Sequence, residues 1–313
     1  MIRFLRPTRD DHPTGDNAPV TRVAVIDVGA NTVRLLVAEL HAGVASPLEE
    51  DKEQLSLGAD VEQQGRISKA LLADAEDTVA RFAARARALR AVQLAVLVTS
   101  PGRQASNGDA LVAALSRGAG TPARVVSAEE EGALAFRGAT SGLRSIAGDT
   151  LVCDVGGGSA QVVVGRDADA IDWCRSLDIG SLRLTNRFGL DDDVSDETLA
   201  RARAEVARIT VDLAPPPAER ALATGGTARA LHKLVGRTLG AEQLAEGIRI
   251  ARTTRPRDIA EAYGISRRRA DRLLGGTLIL EAVQARIGMP FDVAAGGIRE
   301  GAVLTLLARE LAA

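Results

Sequence analysis

One short pattern occurs twice in this chain, and this internal repeat constrains the fold more than any other feature. R-V-A-V-I-D-V-G-A-N-T is a strand of the buried type that ends in Asp27 and a glycine turn, and T-L-V-C-D-V-G-G-G-S ends in the same way at Asp154. The two aspartates lie 127 residues apart, as do Thr32 and Ser159. Self-similarity at one fixed spacing indicates a duplication, so we predict two domains built on one plan.

Each motif leads directly into a second β-rich run, V-R-L-L-V-A-E-L in the first case and A-Q-V-V-V-G in the second. Each glycine turn is therefore predicted to be the tip of a β-hairpin. Elsewhere strand and helix patterns alternate, which is typical of an α/β fold, and the C-terminal third is predicted to be mainly helical. The predicted strands are 43–50, 92–98, 123–127, 150–155, 160–165, 170–177 and 219–223, and the predicted helices are 69–89 (with Ser68 as N-cap), 109–117, 129–139, 181–188 and 196–212.

Two further glycine pairs close strands in the second half of the chain. A-T-G-G-T contains Gly225 and Gly226, A-A-G-G-I contains Gly296 and Gly297, and a helix is predicted after each pair. Free backbone N–H groups at such a junction bind anions, whereas the alternative for a single pair is an ordinary tight turn. Four glycine turns at the carboxyl ends of strands favour ligand binding, because open α/β sheets bind ligands at that edge.

An aspartate followed by glycines and a hydroxyl residue suits phosphate chemistry. The carboxylate can face a metal ion or its water shell, while backbone N–H groups and the hydroxyl hold phosphate oxygens. The alternative for Asp27 or Asp154 alone is an aspartate that caps a turn. Because the pattern occurs in both predicted domains, phosphate binding is the better interpretation of the pair.

Composition excludes several classes of function. With 313 residues the chain is long enough for two domains, and its 39 basic and 41 acidic side chains leave a net charge of −2. With five Phe, one Trp and one Tyr, neither a nucleic-acid surface nor a base-stacking platform is expected. We expect no membrane span, and Cys153 and Cys174 suggest neither a disulfide framework nor a zinc site, which indicates the reducing cytoplasm. Residues 1–19 are predicted to form a disordered tail.

Several sequence blocks resemble those of the exopolyphosphatase and guanosine pentaphosphate phosphatase family (Ppx/GppA), over nearly all of residues 20–313. D-V-G-A-N-T is similar to the family's D-x-G-S-N-S, and D-V-G-G-G-S matches its D-x-G-G-G-S. T-S-P-G-R-Q-A-S-N is similar to T-x-x-x-R-x-A-x-N, and S-A-E-E-E-G to S-G-x-E-E-A. A-T-G-G-T and G-G-I-R-E-G match the later glycine loops of the family.

The resemblance implies an α/β fold of duplicated domains like those of actin, sugar kinases and Hsp70, which are ribonuclease H-like, with an active site in the interdomain cleft. The first domain would comprise 20–138 plus 299–313, and the second would comprise 139–298. The phosphate-binding positions that the resemblance implies are Gly29, Asn31, Thr32, Gly156, Gly157, Gly158, Ser159, Gly225 and Gly226.

The resemblance also implies three catalytic residues. Glu131 would be the base that accepts a proton from the attacking water; from its residue type alone, the alternative is an acid favoured by the dipole at a helix N-terminus. Arg103 would grip phosphate oxygens through its guanidinium fork, and its alternative is a surface arginine. Asp154, assisted by Asp27, would hold Mg²⁺ or Mn²⁺. Arg34 is a further candidate for phosphate binding.

Some positions depart from the family's pattern. Ala30 removes one hydroxyl from the first loop, and Ser56 stands where relatives often carry arginine. Arg269 and Leu274 lie in R-R-R-A-D-R-L-L-G-G, where the family commonly has E-R-A-D and a proline before Gly-Gly. These departures bear on the substrate more than on the reaction.

The resemblance implies hydrolysis of inorganic polyphosphate from its end, and the near-zero net charge together with the early end of the chain favours short polyphosphates. The first alternative is removal of the 5′-terminal phosphate of guanosine pentaphosphate, a reaction of the stringent response. Others are a non-catalytic sensor of guanosine tetraphosphate or polyphosphate, and a sugar kinase, for which no acceptor-site aspartate is evident. A homodimer is implied only by the family, and no nucleic-acid or membrane partner is expected.

Overall fold

The chain divides into two units. The computed structural model describes residues 2–5, 20–41, 43–143, 148–167, 169–191 and 193–312. The first unit consists of Met1–Leu143 with Ile298–Ala313, and the second unit is Arg144–Gly297. The boundary predicted at 138/139 falls inside a helix, Ala128–Thr140, and the first unit continues past the end of that helix.

The first unit is a mixed β-sheet covered by helices. Its strands are β1 (Arg3–Phe4), β2 (Thr21–Val28), β3 (Thr32–His41), β4 (Val44–Gln54), β5 (Gln93–Val98) and β6 (Ala123–Val125), and its helices are α1 (Leu57–Gln64), α2 (Lys69–Ala88), α3 (Ser100–Gln104), α4 (Gly108–Ala119), α5 (Ala128–Thr140) and α13 (Ile298–Ala312). The strand order is β1-β4-β3-β2-β5-β6. β2, β3 and β4 form an antiparallel meander, and β5 pairs parallel with β2.

Alternate residues of β2 face two separate hydrophobic cores. Ile26 and Val28 pack in one core with Phe82 of α2, whereas Val25 packs in the other core with Val303 of α13. Successive side chains of a strand point to opposite faces, so a strand that is apolar on both faces requires cover on both sides. Helices supply that cover, α2 and α4 on one side and α5 and α13 on the other.

The second unit repeats the same arrangement. Its strands are β7 (Thr150–Val155), β8 (Ala160–Asp167), β9 (Ala170–Leu177), β10 (Arg220–Thr224), β11 (Thr238–Leu239) and β12 (Phe291–Val293), and its helices are α6 (Ser181–Phe188), α7 (Asp196–Ile209), α8 (Gly225–Val235), α9 (Ala241–Thr253), α10 (Pro256–Tyr263), α11 (Arg267–Ala270) and α12 (Leu273–Ile287). The strand order is β11-β12-β10-β7-β8-β9. β7, β8 and β9 form an antiparallel meander, and β10 pairs parallel with β7 as β5 does with β2.

The duplication and both hairpins predicted from the repeat are confirmed. The predicted strands and helices are also present, with ends that differ by a few residues. Ser68 caps α2 by accepting a hydrogen bond from the N–H of Leu71 (3.4 Å). The helix predicted for 196–212 ends earlier, at Ile209, where the Thr210 hydroxyl donates to the carbonyl of Val206 (2.9 Å).

The prediction of a disordered tail is wrong for Arg3–Phe4. These residues form β1, which pairs parallel with β4 in register with Val44 and Ala45. Phe4 is buried in the core shared with α13, so one apolar side chain attaches this segment to the sheet. Residues 6–19 of the predicted tail lie outside the described residues. Within the described ranges, no helix is both long enough and apolar enough to cross a membrane.

Candidate active site

The loop between β2 and β3 closes tightly and binds its own unit through a carbonyl group. The N–H of Gly29 donates to the carbonyl of Thr32 (3.1 Å) and closes the turn. The carbonyl of Ala30 accepts from the N–H of Gly58 (2.6 Å) at the start of α1. An added Cβ on Gly58 would lie 2.8 Å from the Ala30 Cβ, so glycine is needed for this approach.

The carbonyl group of Asn31 in the same loop is also bound from within the unit. It accepts from the backbone N–H groups of Leu55 (3.2 Å) and Ser56 (3.1 Å), which follow β4. In the described part of the chain, the backbone N–H groups of Ala30 and Asn31 have no hydrogen-bond acceptor. A loop whose carbonyls are bound and whose N–H groups remain available is suited to an anion.

The loop between β7 and β8 has the same organisation. The N–H of Gly156 donates to the carbonyl of Ser159 (3.0 Å), and the Gly156 carbonyl accepts from the backbone N–H of Ser181 (2.9 Å). The carbonyl of Gly157 accepts two N–H groups from the first turn of α6 (3.0 and 3.1 Å). Among the residues that the structure describes, no acceptor binds the N–H groups of Gly157 and Gly158. This loop is therefore a second anion-binding candidate.

Asp27, at the end of β2, lies among charged groups of both signs. It is the cross-strand partner of Arg34 in β3. Burial raises the pKa of the Asp27 carboxyl, while the guanidinium groups of Arg34 and Arg299 act in the opposite direction and Glu300 adds to the rise. Arg299 also donates to Glu50 (3.1 Å), and Glu300 is only 3% exposed. Two arginines therefore partly neutralise the carboxylate of the first loop.

Asp154 occupies the equivalent place in the second unit, but its cross-strand partner is neutral. The residue is 5% exposed and stands opposite Gln161 in the β7–β8 pair. Gly225, at the start of α8, has a φ of 91°, and an added Cβ there would lie 2.7 Å from Asp154 Oδ1. The A-T-G-G-T turn and the second aspartate motif are thus brought together, as the glycine pairs at strand ends suggested.

Glu131 and Arg103 form an ion pair in the first unit. Arg103 Nη2 donates to Glu131 Oε2 (2.6 Å), and Nη1 donates to the carbonyl of Val126 (2.9 Å). Glu131 lies in the first turns of α5 and is 4% exposed, whereas Glu129 beside it is exposed. Ser127 caps the helix by accepting from the N–H of Glu130 (3.1 Å). A buried carboxylate fixed by an arginine differs from the exposed acids expected at a helix N-terminus.

Two of the predicted site residues, Arg103 and Glu131, are in direct contact, and Arg34 lies opposite Asp27. Sequence reasoning missed Arg299 and Glu300, although both stand in the G-G-I-R-E-G block whose glycines were used. It also missed Gln161, which lies 127 residues after Arg34, the same spacing that relates the two aspartates.

Arg269 is another residue without a sequence-based role. Its Nε would lie 3.6 Å from an added Cβ on Gly226, so its guanidinium is beside the turn that begins α8. Position 269 was identified only as a departure from the family's pattern. The structure places it next to a predicted phosphate-binding glycine.

A divalent cation has only a few protein ligands available to it. Within the described residues, no group of three or more His, Cys, Asp or Glu side chains is arranged to hold a metal ion. Mg²⁺ commonly binds through one or two carboxylates, with waters and substrate phosphates completing its coordination. The oxygen donors at Asp154 fit that mode, and the nearby arginines make Asp27 the poorer candidate.

The two duplicated sheets, each with an aspartate and a glycine loop at the tip of its central hairpin, define a phosphate-binding protein of the actin, sugar kinase and Hsp70 class. The family model described as the Ppx/GppA phosphatase family matches residues 36–310, and the chain belongs to this family. The resemblance identified from the sequence blocks is confirmed.

Relatives with two different names match most of the chain. Exopolyphosphatase 1 of Mycobacterium tuberculosis is 30% identical over 308 residues, which cover 92% of this chain and 89% of that protein. The guanosine-5′-triphosphate,3′-diphosphate pyrophosphatase of Aeromonas hydrophila is 26% identical over 311 residues, which cover 93% of this chain and 60% of that protein. The crystal structure of the Aquifex aeolicus Ppx/GppA family member has a TM-score of 0.80 at 24% identity and covers 93% of this chain and 99% of that one, which confirms the predicted fold.

Proposed function

We propose that this protein is an exopolyphosphatase, which hydrolyses the terminal phosphoanhydride bond of inorganic polyphosphate and releases orthophosphate. The observation that carries the proposal is the buried Glu131 carboxylate, fixed by Arg103 in the unit that also holds a donor-lined loop. A base and a set of N–H donors are what hydrolysis of a linear phosphate chain requires. The similarity to a protein named exopolyphosphatase 1 supports the same activity.

Glu131 accepts the proton of the attacking water in this proposal. The water oxygen bonds to the terminal phosphorus, the bridging P–O bond breaks, and the shortened chain leaves with the electron pair. Arg103 orients the Glu131 carboxylate through the 2.6 Å hydrogen bond, so it acts on the base as well as on phosphate oxygens. Both residues lie in the first unit, and a single unit therefore supplies the proton acceptor and its support.

The two glycine loops hold phosphate oxygens. The N–H groups at Ala30, Asn31, Gly157 and Gly158 serve as donors, because the neighbouring carbonyls are bound within each unit. The hydroxyls of Thr32 and Ser159, with Arg34, add further donors in the proposal. Arg269 joins them beside Gly226 as a cation of the second unit.

Asp154 would hold Mg²⁺ or Mn²⁺ through its carboxylate, directly or through water. When bound, the ion neutralises charge on the phosphate oxygens and lowers the barrier to bond breakage. Asp27 supports the first loop beside Arg34 and Arg299 in this proposal, which assigns the ion to Asp154. The assignment rests on the contrast between the charged groups that surround the two aspartates.

A second candidate function is removal of the 5′-terminal phosphate of guanosine pentaphosphate. It is favoured by the similarity to the Aeromonas hydrophila guanosine-5′-triphosphate,3′-diphosphate pyrophosphatase. Phosphate release from polyphosphate and from guanosine pentaphosphate, measured at equal concentrations of terminal phosphate, separates the two. A higher kcat/KM for polyphosphate is expected, and the reverse ratio would assign the enzyme to the nucleotide.

The preference for short chains is part of the proposal. A net charge of −2 provides no extended basic surface along which a long polyanion stays bound between cleavages. Gel analysis of long polyphosphate at partial digestion is expected to show a gradual decrease in chain length. Full-length polymer beside orthophosphate without intermediates would contradict this expectation.

We further propose that the protein acts in the cytoplasm. Cys153 and Cys174 are not joined in a disulfide, and burial raises the pKa of the Cys153 thiol, which makes this thiol unreactive. A homodimer is kept as a proposal from the family resemblance, and size-exclusion chromatography with light scattering tests it.

A further inference from the structure

The side-chain amide of Asn31 is held in one orientation by two neighbours. Gln54 Nε2 donates to Asn31 Oδ1 (3.0 Å), and the Ser56 hydroxyl donates to the same oxygen (3.4 Å). Gln54 is the last residue of β4 and stands opposite Thr32 in the β3–β4 pair, directly beside the loop. The carbonyl end of the Asn31 amide is therefore directed toward the β4–α1 turn.

An asparagine amide has one oxygen that accepts and one nitrogen that carries two donor hydrogens. Because Oδ1 is bound on the β4 side, Nδ2 is the end turned away from Gln54. We propose that Gln54 is a positioning residue that fixes Asn31 with its two N–H donors toward the phosphate ligand, with Ser56 in support. This proposal rests on the proposed function, since it assigns a role within the same phosphate-binding loop.

The backbone of Ser56 supports the proposal independently. Its φ of 55° and ψ of 38° are in the left-handed region, which is unfavourable for a residue with a side chain. The surroundings maintain this conformation, because the Ser56 N–H donates to the Asn31 carbonyl (3.1 Å) and its carbonyl accepts from Ala59 (2.9 Å). Strained residues of this kind are concentrated at ligand-binding sites. In this chain a serine at the position where relatives often carry arginine thus reaches the loop itself.

The bonds predict a selectivity for the first loop. The carbonyls of Ala30, Asn31 and Thr32 and the Asn31 side-chain oxygen all accept hydrogen bonds from within the unit. The loop therefore offers donors to a ligand, which suits ionised phosphate oxygens. A ligand that must donate, such as a sugar hydroxyl, would leave its own hydrogen unpaired there.

The test replaces Gln54 by a side chain of the same shape that accepts only. In Gln54→Glu the carboxylate attracts Nδ2, so the Asn31 amide reverses and presents its oxygen to the ligand. We expect the KM for tripolyphosphate and its Kd by calorimetry to rise about tenfold, the size of one lost hydrogen bond to a charged group, with kcat within about twofold. Ser56→Ala, which removes only the weaker bond, should raise Kd by about twofold. An unchanged Kd for Gln54→Glu would overturn the proposal.

Two controls separate orientation from added charge. Gln63→Glu adds the same charge on the exposed surface of α1, and it should leave Kd and kcat unchanged. In an Asn31→Ala background the effect of Gln54→Glu should disappear, because no amide remains to be reversed. A penalty that persists in this background would show simple repulsion and overturn the proposal.

Failure of the proposed function is distinguishable from failure of this inference. If the protein binds tripolyphosphate without hydrolysing it, the activity is wrong, while the Kd series still tests Gln54. If it hydrolyses polyphosphate and Gln54→Glu matches the parent protein in Kd and KM, only the role of Gln54 is wrong. The thermal unfolding midpoint of every variant is compared with that of the parent, so that a folding defect is recognised and Ser56→Ala then decides.

Discussion

The two central hairpins, β2–β3 and β7–β8, share a backbone plan but differ at one cross-strand position. Asp27 faces Arg34 in the first hairpin, and Asp154 faces Gln161 in the second. The spacing of 127 residues relates both members of the two pairs. Duplication has thus kept the position of the carboxylate and changed the charge of its partner.

The difference indicates a division of roles between the units. In the first, Arg34 and Arg299 oppose the rise that burial causes in the pKa of Asp27, so its carboxylate is balanced by protein cations. In the second, the residue opposite Asp154 is a neutral amide whose Oε1 is buried without a hydrogen-bond donor in the described part of the chain. A carboxylate beside a carbonyl-type oxygen attracts an external cation, whereas a carboxylate beside arginines does not.

The hairpin loops, in contrast, are supported in the same way in both units. The turn that follows the third meander strand binds the loop carbonyls, through Leu55 and Ser56 in one unit and through Ser181 and the start of α6 in the other. Backbone geometry has therefore been conserved between the two copies where N–H donors are needed. Side chains have diverged where the chemistry differs.

The largest effect should come from the second aspartate. We expect Asp154→Asn to lower turnover in the presence of Mg²⁺ or Mn²⁺ by a hundredfold or more, roughly as for loss of a charged metal ligand. Asp27→Asn is the matched variant, and it should leave the metal concentration for half-maximal activity unchanged. Steady-state phosphate release over a metal titration measures both. Equal shifts in metal dependence for the two variants would remove the contrast between the hairpins.

The next effect concerns the base that only the first unit carries. Glu131→Gln keeps a side chain that accepts from Arg103 but cannot take a proton, so kcat should fall about a hundredfold with little change in KM. Glu129→Gln, an exposed neighbour on the same helix, is the control and should retain full activity. Turnover of the Glu131 variant equal to that of the Glu129 variant would exclude Glu131 as the base.

A third variant sharpens the contrast by adding charge to the second hairpin. Gln161→Glu places a second carboxylate opposite Asp154, and we expect the metal concentration for half-maximal activity to fall about tenfold. Calorimetric titration with Mg²⁺ alone gives an independent measurement without turnover. If metal binding is unaffected, the cation is not held between these two strands.

The smallest effect is on stability and makes the first hairpin resemble the second. Arg34→Gln removes one of two cations beside the partly buried Asp27, so the free energy of unfolding should fall by about 1 kcal/mol. Arg22→Gln is a matched control, because Arg22 pairs with Glu39 across the same two strands (3.4 Å) in a more exposed position. Urea unfolding of both variants at pH 7 measures the difference. A larger loss for Arg22→Gln would show that Arg34 does not stabilise Asp27.

The sequence by itself determined the duplication, the two hairpins and the family. These features depend on local patterns: apolar strands that end in aspartate and glycine, and motif blocks that are contiguous in the chain. It also identified Glu131, Arg103 and both aspartates as site residues, because each stands inside such a block. The roles of these residues remain proposals.

Only the tertiary structure decided which groups contact one another. The pairing of Arg103 with Glu131 joins residues 28 positions apart, and that of Gln54 with Asn31 joins residues 23 positions apart. The strand register also places Gln161 opposite Asp154 and Arg34 opposite Asp27, which no single motif contains. Hydrogen bonds and charge balance depend on distances between elements that packing sets, so the polarity of each loop became apparent only when the sheets were assembled.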